Sequence, residues 1–255
     1  IAVVGDVFAA PGPQACIEAI QLADKGKGVL LVVLNHAGDI LASNLAMKQA
    51  EKLGINVAKI VVQDDIANAP REEAQNRRGM VGAVPLLKIA GAAALAGKSL
   101  EEVAALAQGF ADNMATLAVA ASGATNPATG MEIAQVAAGC MEVGVGLHGE
   151  AGKAKPMATA EETVSAMLDA LLEDLNVLAE EKLMVIVSGS GATSLMEQLI
   201  VYRNCYAYLA EKEIEIVASH VGELMTVQEM AGFEICIARM NDELVEYWNA
   251  PCRTP

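Results

Sequence analysis

His148 is the side chain best placed to act as a nucleophile. It closes an apolar alternation of Val143, Val145 and Leu147, interleaved with Gly144 and Gly146, and is followed by Gly149, Glu150 and Gly152. The period of two predicts a half-buried strand and the glycines a tight loop. The imidazole is thus expected at the carboxyl end of a strand, the edge where α/β proteins bind small ligands. A lone histidine in such a place is also commonly a satisfied structural residue, and the spacing does not separate the two readings. A second loop, Asn35-His36-Ala37-Gly38-Asp39, follows the apolar run Val29 to Leu34 and brings a histidine and a carboxylate to another strand end. Asp39 could take a hydroxyl proton as a general base, or cap a helix beginning at Ile40; both stay open.

Three other constellations are weaker. Asp64 and Asp65 follow a strand-like run, but adjacent carboxylates on extended chain point apart, so capping or bonding to a neighbouring loop is expected before joint metal ligation. Ser188-Gly-Ser-Gly-Ala-Thr-Ser194 lies between a strand and a helix, yet it lacks the third dinucleotide-loop glycine and any lysine. A tight strand-to-helix turn is favoured there, with anion binding as a lesser reading. The pair Arg77-Arg78 could hold a phosphate or an acidic partner, with a surface ion pair the commoner explanation.

The elements that must position these residues alternate. Ile1 to Phe8 reads as a strand, Gln14 to Asp24 as a helix, Val29 to Leu34 as a buried strand, Leu41 to Leu53 as a helix closed by Gly54, and Val57 to Val62 as a strand. That order predicts a parallel sheet. Gly79 to Ala96 is apolar nearly all round and predicts a buried helix. Ser99-Leu-Glu-Glu102 is a capping box opening a helix with Val103, Leu106, Phe110 and Met114 on one face. Ala121 to Gly130 is turn-rich and predicts a domain junction. Beyond it come a helix opened by Thr159-Ala-Glu-Glu162, a strand from Leu183 to Val187, a long helix from Leu195, strands near Ile214 to Ser219 and Phe233 to Ala238, and a short acidic helix from Asn241 to Trp248. The expected fold class is α/β: two α/β domains, residues 1–120 and 121–255, each with a sheet flanked by helices, the first incomplete at its amino end.

Composition narrows the function. The 255 residues are 54% hydrophobic and 3% aromatic, with 12 methionines, ample for helices packed on buried sheets. Seventeen basic against 32 acidic residues give a formal charge of −15, which repels a phosphate backbone and excludes nucleic acid as an expected ligand. No phosphate-binding Gly-x4-Gly-Lys-Ser/Thr loop is present, so any kinase role must borrow its nucleotide. The five cysteines, at 16, 140, 205, 236 and 252, show neither zinc-ribbon spacing nor a disulfide framework, and no metal site is expected. No apolar run is long enough to span a bilayer and no signal peptide is evident, so a cytoplasmic protein without membrane attachment is expected.

Several segments resemble, in order, the sugar-binding subunit of the dihydroxyacetone kinase family: Gly-Asp-Val-Phe-Ala-Ala-Pro (5 to 11), Asn-His-Ala-Gly-Asp (35 to 39), Asn-Arg-Arg-Gly (76 to 79), Lys-Ile-Ala-Gly-Ala-Ala-Ala (88 to 94), Val-Gly-Val-Gly-Leu-His-Gly-Glu (143 to 150), Gly-Ala-Thr-Ser-Leu-Met-Glu (191 to 197), Val-Gly-Glu-Leu-Met-Thr (221 to 226) and Met-Ala-Gly-Phe (230 to 233). The resemblance covers essentially the whole chain. It implies a two-domain α/β subunit, usually a homodimer, that holds dihydroxyacetone as a covalent hemiaminal on His148, with Asp39 as base and His36 and Gly38 completing the substrate-binding set. It further implies that this chain binds no cofactor. ADP and magnesium would sit on a partner kinase subunit recharged from phosphoenolpyruvate through a phosphotransferase component. The family's upstream Gly-His loop would precede residue 1. The family commonly has lysine where Leu34 stands, tyrosine where His36 stands and serine where Ala10 stands. Loss of a cation near a reacting phosphoryl group removes charge stabilisation, which bears on turnover more than on sugar capture. Two alternatives follow: a non-catalytic dihydroxyacetone-binding co-regulator of transcription, and a nucleotide-binding α/β enzyme built around Ser188 to Ser194.

Overall fold

Strands β1 (Val29–Leu34) and β2 (Val57–Val62) are short apolar runs joined by a helix, the connection that brings two strands together in parallel, and they pair in register from Val29 opposite Val57 to Leu34 opposite Val62. The computed structural model describes residues 1 to 252. Helices α1 (Pro13–Ala23), opened by a proline in its first turn, and α2 (Ala37–Lys52) cover one face of this pair. Cys16, Ile17 and Ile20 of α1 meet Ala42, Ala46 and Ala50 of α2 over Val29, Leu31 and Val57. The opposite face, Leu30, Val32, Ile60 and Val62, packs against α3 (Ala83–Leu95) and α4 (Leu100–Asp112).

The second sheet has six strands: β3 (Met114–Ala120), β4 (Cys140–Val143), β5 (Lys153–Pro156), β6 (Lys182–Gly189), β7 (Glu215–Gly222) and β8 (Gly232–Arg239), in the order β5-β4-β3-β8-β6-β7. Only β6 and β7 run parallel; every other neighbouring pair is antiparallel. Alternation then sorts the side chains. Leu183, Val185, Val187, Ile235 and Ile237 face α5 (Ala160–Leu175) and α6 (Leu195–Glu211). Met184, Ile186, Cys236 and Ala238 face α3, α4 and the terminal α7 (Asp242–Asn249). The result is five layers: helices, a two-stranded sheet, helices, a six-stranded sheet, helices. Each sheet is flanked by helices, as an α/β chain requires. Strand β3 precedes residue 121 in the chain yet hydrogen-bonds at the centre of the second sheet.

Three sequence expectations are corrected. Ile1 to Phe8 forms no strand: the Asp6 carboxylate accepts the Val7 N–H at 2.7 Å, the Asp6 carbonyl accepts from Ala9 at 3.0 Å, and Phe8 lies at φ +54°. An aspartate that takes a neighbouring backbone N–H competes with a strand ladder and makes a turn. Helix α3 begins at Ala83 rather than Gly79, because the N–H groups of Met80 and Gly82 donate to Asp64 and that of Val81 donates to Glu234. It also exposes Leu87 and Leu95, so it is not buried all round. Finally, the alternation at Val143 to Leu147 is not continuous strand: β4 ends at Val143 and Gly144, at φ +85°, turns the chain.

Candidate functional site

Beyond that turn, residues 144 to 150 form a loop closed on itself by the Gly146 N–H donating to the Glu150 carbonyl at 2.9 Å. His148 therefore stands on a loop past the strand end. Its Nδ1 lies 3.5 Å from Glu150 Oε1, and its own backbone N–H donates to the other oxygen of the same carboxylate. The other Glu150 oxygen also lies 3.8 Å from the Arg78 guanidinium. A side chain at Gly146 would strike both groups, with Glu150 Oε2 2.1 Å and Arg78 2.2 Å from the position of a Cβ, so glycine is what permits this three-way approach.

The first sheet supplies the facing wall. The His36 ring lies 4.7 Å from the His148 ring and the Phe8 ring 5.4 Å from it, edge-on. Asn35 pins this wall: its side-chain amide donates to the carbonyls of Gln75 at 2.9 Å and Arg77 at 2.6 Å. Helix α2 starts at Ala37, so Asp39 falls within its first turn, where a carboxylate complements the helix dipole, and His36 rather than Asp39 occupies the cap position. The charge of Asp39 acts on both imidazoles. Gly38 abuts Ala10, whose Cβ lies 2.8 Å from the position of a Cβ at residue 38.

The two histidines are tuned in opposite senses. Hydrogen bonding to Glu150 raises the pKa of His148, against the opposing effect of partial burial. Burial, and then the charge of His148, lowers that of His36. Glu150 is held down to about 2 by its bond to His148, so the carboxylate is charged across the physiological range. A carboxylate at Nδ1 favours the tautomer with the proton there, leaving the Nε2 lone pair available for attack on an electrophile.

The remaining sequence candidates are structural. Arg77 and Arg78 are buried, not surface residues: Arg77 pairs with Asp174, and Arg78 pairs with Asp65 and donates to the Gly144 carbonyl at 3.0 Å, bracing the start of the His148 loop. Asp64 accepts from Met80 at 2.7 Å, Gly82 at 2.9 Å and the Thr116 hydroxyl, so its oxygens serve neighbouring loops. The loop at Ser188 to Ser194 is filled by the chain's own residues 224 to 230: Ser188 Oγ accepts from Leu224 and Met225, and Ala192 N–H donates to the Met230 carbonyl. Ser194 caps α6 in a box with Glu197. Phe8 and Glu150 escaped the sequence reading as site members; the proximity of Glu150 to His148, two residues on across a glycine, was the available signal.

The frame is thus an α/β protein whose two sheets each lend one loop to a site with a carboxylate-supported histidine. The model of the Dak1 domain matches residues 1–255, and the chain belongs to that family. It is 36% identical over 255 residues to the PTS-dependent dihydroxyacetone kinase 2, dihydroxyacetone-binding subunit DhaK, of Listeria innocua, covering 100% of this chain and 76% of that one. It is 35% identical to the D-erythrulose kinase of Mycolicibacterium smegmatis, again over 100% of this chain but 44% of the relative. Among solved structures, the dihydroxyacetone kinase operon co-activator Dha-DhaQ superposes with a TM-score of 0.90 at 28% identity, covering 96% of this chain and 76% of that one. Among the described residues no helix is long and apolar enough to cross a membrane.

Proposed function

We propose that this chain is a carbonyl-sugar-binding subunit that captures dihydroxyacetone, or a similar short ketose, as a hemiaminal on His148 and presents it for phosphorylation by a partner subunit carrying ADP and magnesium. The observation that carries the reading is the Glu150 carboxylate at Nδ1 of His148. Nε2 of His148 attacks the ketone carbon; the carbonyl π pair becomes an alkoxide, which takes a proton as the imidazole gives up the one on Nδ1. Only a carbonyl compound can react so, which distinguishes a ketose from glycerol. Asp39 then draws the proton from the hydroxyl that is to receive the phosphoryl group. The proposed assembly includes a homodimer, for which Leu195, Met196, Leu199 and Tyr206 on α6 offer exposed apolar surface.

Carbon NMR of carbonyl-labelled dihydroxyacetone tests the capture: the ketone resonance should convert to a hemiaminal resonance with the protein and remain a ketone with His148→Ala. A second reading, a ketose-binding co-regulator without turnover, is favoured by the likeness to a co-activator and by Leu34, which packs against the α3 and α4 core at the end of β1 and brings no charge to the site. Mixing the protein with an ADP-bearing partner subunit and its phosphoryl donor separates the two. Phosphorylated ketose supports the kinase subunit; capture without product supports the co-regulator.

A further inference from the structure

The same pocket holds a second, unassigned constellation. Nε2 of His36 is buried and has no hydrogen-bond partner, although a buried polar atom normally finds one. One donor atom each from His36, His148 and Glu150 lies within 4.8 Å of the others. Glu150 Oε1 faces the His148 ring, while the Arg78 guanidinium stands by the other oxygen. We propose that His36, His148 and Glu150 form a site for a divalent transition-metal ion of the zinc type, and that the ion and an incoming ketose compete for His148.

Two imidazoles and one carboxylate suit zinc and its neighbours rather than magnesium or calcium, which prefer all-oxygen sets. Zinc bonds of about 2.0 to 2.2 Å at tetrahedral angles place donors roughly 3.4 Å apart. The His148 and Glu150 pair already stands at 3.5 Å, and the wider separations, at most 4.8 Å, must close by up to about 1.4 Å. Val145 and Leu147 anchor the loop in a buried cluster, whereas His148 and Glu150 at its tip are exposed on either side of Gly149, at φ +88°, so the adjustment falls on residues 148 to 150. Three protein ligands leave a fourth position for water. Competition follows from valence: a neutral imidazole has one lone-pair nitrogen, and once a metal takes it no nucleophile remains to begin attack on a carbonyl carbon.

The site is tested on the full chain carrying Cys252→Ser, stripped with a chelator and titrated with zinc chloride by calorimetry. One ion per chain is expected. His36→Asn and Glu150→Gln should each weaken binding at least about tenfold, while His220→Ala, which removes the remaining histidine, should not. Stoichiometric zinc should slow hemiaminal formation several-fold in the parent and not in His36→Asn, with the rate restored by chelator. Binding that His36→Asn leaves unchanged overturns the donor set, and binding that leaves the rate of capture unchanged overturns the competition. The competition rests on the capture reading, whereas the titration does not. A metal-free protein that forms no adduct yet binds zinc through His36 would refute capture and leave the metal site standing.

Discussion

Two glycine-bearing loops leave strands of the same six-stranded sheet and meet opposite fates. The loop after β6, Ser188 to Ser194, is occupied by residues 224 to 230, with Gly191 paired to Met230 and Ser188 holding two backbone N–H groups. The loop after β4 has its backbone closed on itself but leaves His148 35% exposed beside an orphaned His36 nitrogen. Glycine at a strand end therefore signals only that the backbone turns sharply. Whether a site results depends on what chain the rest of the fold lays across the turn.

The contrast breaks most directly at its chemical end. His148→Ala should abolish the hemiaminal signal, a loss of at least about a hundredfold in ketose retention, with the thermal midpoint little changed because the side chain itself is part-exposed and outside the apolar core. Gly191→Ala should do the reverse. A Cβ there falls 1.8 Å from the Gln228 carbonyl oxygen on a backbone at φ +129°, so about 2 kcal/mol or more of stability should be lost in urea titration while folded protein still captures ketose.

Glu234, on β8 opposite Ser188, sharpens the comparison through pH. Burial, and then the charge of Asp64, pushes its pKa from 4.5 up to about 8, so the folded state holds a proton that the unfolded chain releases. Its stabilising contribution is complete below about pH 4.5 and is lost as pH rises toward 8. Glu234→Gln keeps an acceptor for the Val81 N–H and removes the titration. The variant should match the parent near pH 4 and exceed it by about 4 kcal/mol near pH 8, in denaturant titrations at each pH. At the open loop, Glu150→Gln removes the partner that raises the His148 pKa. Because capture needs the neutral imidazole, the fall in capture on acidification should move to lower pH; a limb that stays in place would show that Glu150 does not tune His148. The smallest expected effect is Ser188→Ala, about 1 to 2 kcal/mol for two N–H groups left without their acceptor, with capture unaffected.

Much of the architecture was legible because it is written locally. The boxes at Ser99 and Thr159 open α4 and α5 as their spacing requires, and the apolar runs at 29 to 34 and 57 to 62 give a parallel pair. The errors came where a single side chain overrode the pattern, as Asp6 does in the first eight residues, or where distant acceptors claimed backbone N–H groups, as Asp64 and Glu234 do before α3. The site was half legible. His36 and His148 do stand ring to ring, with the charge of Asp39 acting on both, but Phe8 reaches His148 across 140 residues and Arg78 is recruited through Asp65 and Gly144, contacts that no local period encodes.

Helices α3 and α4 form the middle layer, with one continuous apolar cluster running from Ile60 and Val62 through Phe110 to Ile186 and Cys236. A layer shared in this way cannot stay folded against one sheet while abandoning the other without exposing much of its apolar surface. Heating should therefore melt both sheets in one cooperative transition, and partial proteolysis should yield no half-molecule that keeps either loop in place. The distance between His36 and His148 is thereby governed by the same free energy that keeps the chain folded, so a substitution deep in α3 that touches neither loop would reach the ketose pocket as a smaller fraction of competent molecules, with the affinity of each competent molecule intact.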